Sequence, residues 1–168
     1  MNLLALAFPP TQAGRALWIL IVALATLAAV WILQTVGYRP CELCLTERYA
    51  FYFSAPLAAL TAVLAARGAV LWARIGFAAL ALAFLANAAL SGYHAGVEYH
   101  FWPGPTACSG AMIGPIDVND LLKAAQATPE PRCDEAALSI FGLSLAGWDM
   151  AVSAALALYA ALAARLAR

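Results

Sequence analysis

Four long apolar runs dominate the chain and are separated by stretches where polar residues, Pro and Gly gather. A bilayer core needs roughly 20 apolar residues in helical conformation. The first run, Ala16–Val36, carries no charge, and only Gln34 and two threonines interrupt it. The second, Tyr49–Ala66, is bounded by Arg48 and Arg67 and contains Pro56, a kink that neighbouring helices would have to accommodate. The third, Ile75–His94, carries Asn87 and Gly92. The last apolar stretch, Ala136–Ala164, is too long for one span and is broken by Asp149. It reads as an interfacial segment over Ala136–Leu143 followed by a span from Gly147 to Ala164. The pattern predicts one all-α membrane domain over residues 1–168, a bundle of four transmembrane helices with spans near 16–36, 49–66, 75–94 and 147–164. Loops 37–48 and 95–146 then share one side and both termini the other. The first run is too long for a signal-peptide core, and Thr35-Val36-Gly37-Tyr38 is a poor cleavage site, so it reads as a retained span.

Composition strengthens the membrane assignment. Of 168 residues, 65% are hydrophobic and 11% charged, where soluble domains run about 45–50% and about 25%. A 17.6 kDa globule could not hide that much apolar surface. Disorder is excluded on the same ground. A formal net charge of zero gives no electrostatic basis for binding nucleic acid. Orientation follows from Lys and Arg near the span ends. Arg15, Arg67, Arg74, Arg165 and Arg168 fall in the N-terminal tail, the second loop and the C-terminal tail, with no acid beside them. Every Asp and Glu except Asp149 lies in the first and third loops. The purely basic side is expected to be cytoplasmic, with both termini inside.

Cys41, Cys44, Cys108 and Cys133 all fall in the two outward loops. An even cysteine count on an oxidising face points to disulfide chemistry. Cys41 and Cys44 form a C-x-x-C where the second helix begins, while Cys108 and Cys133 stand far apart in a loop rich in Pro and Gly. That loop also holds an amphipathic stretch, Ile116–Ala125, expected to be a short helix lying flat on the membrane surface. A C-x-x-C closes too short a loop to be an effective staple. It makes a good redox pair, because a helix N-terminus favours the thiolate. Leu45 rather than His follows Cys44, against a c-type haem site. The wide second spacing argues against a four-cysteine zinc site, and no metal is expected. Two structural disulfides and a redox relay both remain open on spacing alone.

Cys41, Cys44 and Arg48 stand at i, i+3 and i+7, so they are expected to share a helix face. Arg48 would lie about 6 Å deeper than Cys44, at the edge of the hydrocarbon. There it either anchors the span by snorkelling or serves a site. As a site residue, its guanidinium would hydrogen-bond a carbonyl oxygen and stabilise negative charge on a lipid-soluble electron acceptor. A quinone fits, being apolar, membrane-confined and able to take the two electrons of a dithiol. His94, at the same membrane level, either caps its helix or lines this pocket and relays protons. Tyr93, Tyr99, Trp102 and Trp148 read as an interfacial aromatic belt. Asp149 suits the positive end of the fourth helix.

The stretch Pro40-Cys41-Glu42-Leu43-Cys44-Leu45-Thr46-Glu47-Arg48 resembles the P-C-x-L-C-x-x-E-R signature of the bacterial disulfide bond formation protein B (DsbB) family. Four helices, inward termini and a cysteine pair in each outward loop are similar to it as well. So are the segments Trp102-Pro103-Gly104-Pro105-Thr106-Ala107-Cys108 and Cys133-Asp134-Glu135. The resemblance covers nearly the whole chain. It implies a multi-pass protein of the bacterial inner membrane, with cytoplasmic termini and periplasmic cysteine loops, that passes electrons to ubiquinone or menaquinone. Under it, a Cys108–Cys133 disulfide would oxidise a thioredoxin-like, DsbA-like dithiol partner by mixed-disulfide exchange at Cys108. Cys133 would then exchange with Cys41, leaving Cys44 as a thiolate beside a quinone held by Arg48 and His94. DsbA is a strong oxidant, near −120 mV, so its reoxidation needs an acceptor at still higher potential, and DsbA–DsbB–quinone is the system that keeps the periplasm oxidising. A vitamin K epoxide reductase type of four-helix protein places its C-x-x-C toward a later helix, unlike this chain. The contrasting expectation from another class is a non-catalytic four-helix membrane protein whose loop disulfides brace the outer face.

Overall fold

Polar caps, rather than the limits of the apolar runs, set where the helices begin. In the computed structural model, which describes residues 9–105 and 131–167, α1 spans Gln12–Thr35, α2 Glu42–Ala66, α3 Val70–Glu98 and α4 Leu145–Leu166. The Thr11 hydroxyl accepts from the Gly14 amide at 3.1 Å, and the Ser144 hydroxyl accepts from Gly147 at 3.1 Å. The Cys41 sulfur accepts from the Cys44 amide at 3.2 Å. Each side chain satisfies an amide with no partner inside its helix. Helix α2 therefore starts at Glu42, a full two turns before the apolar run at Tyr49. Pro56 lies inside α2 without ending it.

All four helices are long and apolar enough to cross a bilayer, and the chain is a multi-pass membrane protein. Helix α1 packs on α2, α2 on α3 and α3 on α4, whereas α1 and α4 meet only over a small contact. The shared interior is built largely from small residues: Ala16, Ala23, Ala58, Ala62, Ala157, Ala160 and Ala163, filled in by Ile19, Phe77, Leu80 and Phe84. Lipid tails are as apolar as leucine, so helices in a bilayer gain more from close backbone approach than from burying bulk. Gly76 of α3 is such a point, since any Cβ there would overlap the Thr61 side chain of α2. Large apolar residues such as Leu17, Ile21, Leu82 and Leu158 point outward instead.

The interfacial segment read from the sequence over Ala136–Leu143 contains most of a hairpin. Strand β1 (Ser139–Ile140) pairs antiparallel with β2 (Leu143–Ser144), Ser139 facing Ser144 and Ile140 facing Leu143. Phe141 and Gly142 both have positive φ, 54° and 81°, the backbone of a two-residue I′ turn. Tyr99 fastens the hairpin from α3, donating to the Gly142 carbonyl at 3.2 Å and accepting from the Ser144 amide at 3.1 Å. Trp148 Nε1 donates to the Ile140 carbonyl at 3.0 Å. The hairpin thus sits over the same bundle end as the C-x-x-C. The amphipathic stretch Ile116–Ala125 lies outside the described residues.

Candidate functional site

Cys41 is the cap of α2, not part of its helical face. Its backbone is extended (φ −76°, ψ 174°), which turns its sulfur back over the first turn. The two sulfurs lie 2.7 Å apart, and both cysteines are free thiols. The side-chain hydrogen bond with Cys44 does most to pull the Cys41 pKa down to about 4; burial opposes it, and His94 and the Cys44 amide reinforce it. Cys41 is 4% exposed. Glu42, between the cysteines, is an exposed first-turn acid, where a negative charge suits the helix dipole.

Two environments meet at this pair. On the inner side, His94 Nε2 lies 3.6 Å from the Cys41 sulfur. The other ring nitrogen, Nδ1, is 2.8 Å from Glu47 Oε1, and His94 and Glu47 are both buried. Glu98 Oε1 stands 3.9 Å from His94 Nε2. Cys–His–carboxylate is an arrangement in which the acid orients the imidazole and the imidazole handles the thiol proton. Cys41, Cys44 and His94 also present ligand atoms within 4.8 Å of one another, a set able to hold a thiophilic cation while the thiols are reduced.

On the other side, Cys44 opens on a cavity of about 510 Å³ in the seam where α1 and α4 fail to close. That volume lies within the range of small-molecule sites. Leu27, Val30 and Leu33 of α1, Phe51 of α2, Val152 of α4 and Phe141 of the hairpin supply apolar walls. Cys44, Glu47, Arg48 and Asp149 supply the chemistry. Arg48 is oriented from α1: its Nη1 donates to Gln34 Oε1 at 2.9 Å, and its guanidinium lies 5.9 Å from the centre of the Trp31 ring. A positive, hydrogen-bonding group on the wall of an apolar slot suits a carbonyl-bearing, membrane-soluble molecule. His94 does not line the cavity; it stands behind Cys41.

Asp149 is more than a helix-end acid. Its Oδ2 accepts from the Ser91 hydroxyl and from Asn87 Nδ2 at 2.9 Å, and Asn87 also reaches the Ser153 hydroxyl at 2.9 Å. This polar clasp joins α3 to α4 at the cavity wall. Neither the Glu47–His94 pair nor the Asn87–Asp149 pair is readable from spacing, since 47 and 62 residues separate the partners. The sequence signal available for Glu47 and Asp149 was an ionisable group at membrane depth, which marks function by default.

The second cysteine pair is half in view. Cys133 is disulfide-bonded, fully buried, and packs in one cluster with Cys41, Leu43 and Cys44. Cys108 lies outside the described residues. Arg132 and Asp134, flanking Cys133, form an exposed ion pair at 2.7 Å. Of the residues singled out in sequence, Cys41, Cys44, Arg48, His94 and Cys133 therefore converge at one bundle end.

Comparison with known proteins places this arrangement among relatives. A family model described as disulfide bond formation protein DsbB matches residues 12–163. A disulfide bond formation protein B from Herminiimonas arsenicoxydans is 33% identical over 148 residues, covering 82% of this chain and 87% of the relative. Another from Polaromonas sp. is 30% identical over 164 residues, covering 88% and 92%. No solved structure matches significantly.

Proposed function

The chain belongs to the DsbB family of disulfide bond formation proteins, and from that premise we propose that it is a quinone-dependent thiol oxidoreductase that reoxidises a periplasmic, DsbA-like dithiol partner. The observation that carries this reading is the placement of Cys44: one side touches Cys41 and the buried Cys133, the other faces an apolar cavity beside Arg48. Cys133, the Cys41–Cys44 pair and the cavity thus lie in sequence.

In the proposed cycle, the partner's thiolate attacks Cys108 of a Cys108–Cys133 disulfide. The freed Cys133 attacks Cys41 of an oxidised Cys41–Cys44 pair, forming Cys41–Cys133 and releasing Cys44 as a thiolate at the cavity. The helix N-terminus favours that charge. The partner's second thiol resolves the mixed disulfide and frees Cys108, which attacks Cys133 and returns Cys41 as a thiolate. Cys41 and Cys44 then re-form their disulfide, and a ubiquinone or menaquinone in the cavity would take the two electrons they give up, with Arg48 steadying the developing oxygen charge. A low Cys41 pKa keeps that sulfur reactive at neutral pH. The basic N-terminal tail, α2–α3 turn and C-terminal tail support a reading with both termini in the cytoplasm of a bacterial inner membrane and the cysteine end in the periplasm, where disulfides persist.

The test is quinol formation, followed by ultraviolet absorbance, from purified protein in detergent supplied with a reduced thioredoxin-like dithiol. Turnover should vanish in Cys44→Ser and require far more quinone in Arg48→Ala. A folded protein that reduces no quinone with any dithiol would return the chain to the reading of a bundle braced by disulfides.

A further inference from the structure

Electrons and protons need separate routes out of the cysteine pair. Oxidising two thiols to a disulfide breaks two S–H bonds, forms one S–S bond and gives up two electrons. Reducing a quinone to a quinol takes those two electrons and puts a proton on each of its two oxygens. Cys44 faces the cavity, so its proton has a short way to go. Cys41 does not line the cavity and is 4% exposed, so its proton is walled off from both acceptor and solvent.

Glu47 joins the two places. Glu47 lines the cavity beside Cys44 and Arg48, and its Oε1 lies 2.8 Å from His94 Nδ1. His94 Nε2 in turn lies 3.6 Å from the Cys41 sulfur. Cys41, His94 and Glu47 are all buried, at 4%, 1% and 6% exposure. Resting on the acceptor reading above, we propose that His94 and Glu47 form a proton wire that carries the Cys41 proton to the acceptor in the cavity. In the reduced pair Cys41 has already given its proton to His94 Nε2; as the disulfide forms, the imidazolium hands its Nδ1 proton to Glu47, and Glu47 delivers a proton to a quinone oxygen. Both protons lost by the dithiol then end on the quinol, and the site exchanges none with bulk water. The wire explains why an acid precedes Arg48 at membrane depth, where an ionisable group is costly without a task. Cys44 is the electron outlet, Glu47 the proton outlet, and both open on the same wall.

Glu98, 3.9 Å from His94 Nε2 at the end of α3, is the competing exit. The experiment separates the two. Full-length protein, reduced at Cys41 and Cys44 and held in weakly buffered detergent with a pH-indicator dye, is mixed rapidly with a short-tailed quinone. Quinol formation is read by ultraviolet absorbance and bulk protons by the dye. Wild type should form quinol with no proton transient. Glu47→Gln, which keeps the shape of the carboxyl and a bond to His94, should still bind quinone. It should form quinol about 100-fold more slowly while drawing up to one proton per site from bulk before returning it. Glu47→Asp should recover much of the rate without the transient. His94→Gln should reproduce the Glu47→Gln trace, which keeps the test decisive if Glu47→Gln does not fold. Wild-type kinetics with no transient in both Glu47→Gln and His94→Gln would overturn the wire, as would a transient that arises only in Glu98→Gln. Absence of quinol from wild type itself would instead overturn the acceptor reading.

Discussion

Removing the imidazole behind Cys41 should make the Cys41–Cys44 couple a weaker oxidant. A thiolate stabilised in the reduced state favours reduction, which is why DsbA, with its stabilised thiolate, is strongly oxidising. Here the Cys41 pKa is pulled down to about 4 by the hydrogen bond with Cys44, with His94 contributing further. His94→Ala leaves the Cys44 bond and deletes the imidazole at 3.6 Å. A hydrogen bond to a charged group is worth about 1.5–3 kcal/mol, and Cys41 is too buried for solvent to screen much of it. The Cys41 pKa should therefore rise by about 1–2 pH units, and the reduction potential should fall by about 30–60 mV. Both are measured in a Cys108→Ala, Cys133→Ala background, so that one dithiol titrates: thiolate absorbance against pH, and redox equilibrium in dithiol buffers. An unchanged potential, or one that rises, would refute the assignment of His94 as a partner of the Cys41 thiolate.

Four further outcomes follow from the same geometry. Because the folded pKa of Cys41 lies below that of an unfolded thiol, its ionisation stabilises the reduced protein fully above about pH 8.5. That contribution should drain away as pH falls toward about 4; unfolding midpoints of reduced and oxidised protein across this range should converge at the acid end. Arg48→Ala removes the charge from the cavity mouth and should raise the quinone KM about 10–100-fold, with a smaller change in kcat, by steady-state kinetics. Asn87→Leu cuts the clasp between α3, Asp149 and Ser153 and should cost about 0.6–1.7 kcal/mol in detergent unfolding, the range for hydrogen bonds between membrane helices. Gly142→Val places a β-branched residue at φ 81° and should open the hairpin, read as faster proteolysis near Phe141 with the four helices intact.

The bundle was legible because hydrophobic runs of bilayer length admit few alternatives. Their ends were less so: Thr11, Cys41 and Ser144 each start a helix through one side-chain bond, a local event that hydropathy does not register. Cys44 and Arg48 share a cavity wall as their spacing implies, yet Cys41 faces away from it. A cap residue has extended backbone, and helical spacing does not apply to it. His94 stands behind Cys41 and not on the cavity wall. The acid that turns it toward Cys41 lies 47 positions away in sequence, and only packing of α2 on α3 brings the two together. The hairpin was hidden for the opposite reason: strands of two residues carry no period, and Phe141-Gly142 is a weak turn signal beside Asn-Gly.

The central claim is that the outer cysteine pair hands its electrons to the inner one at Cys41. The most direct measurement takes Cys108→Ser protein with its Cys41–Cys44 pair oxidised by quinone, quenches thiols with an alkylating agent and maps disulfides by mass spectrometry. Burial of Cys133 against Cys41 predicts that the free Cys133 exchanges into the pair, so that a Cys41–Cys133 bond accumulates and Cys44 is alkylated. Recovery of Cys133 only as alkylated thiol, with Cys41–Cys44 intact throughout, would contradict the relay.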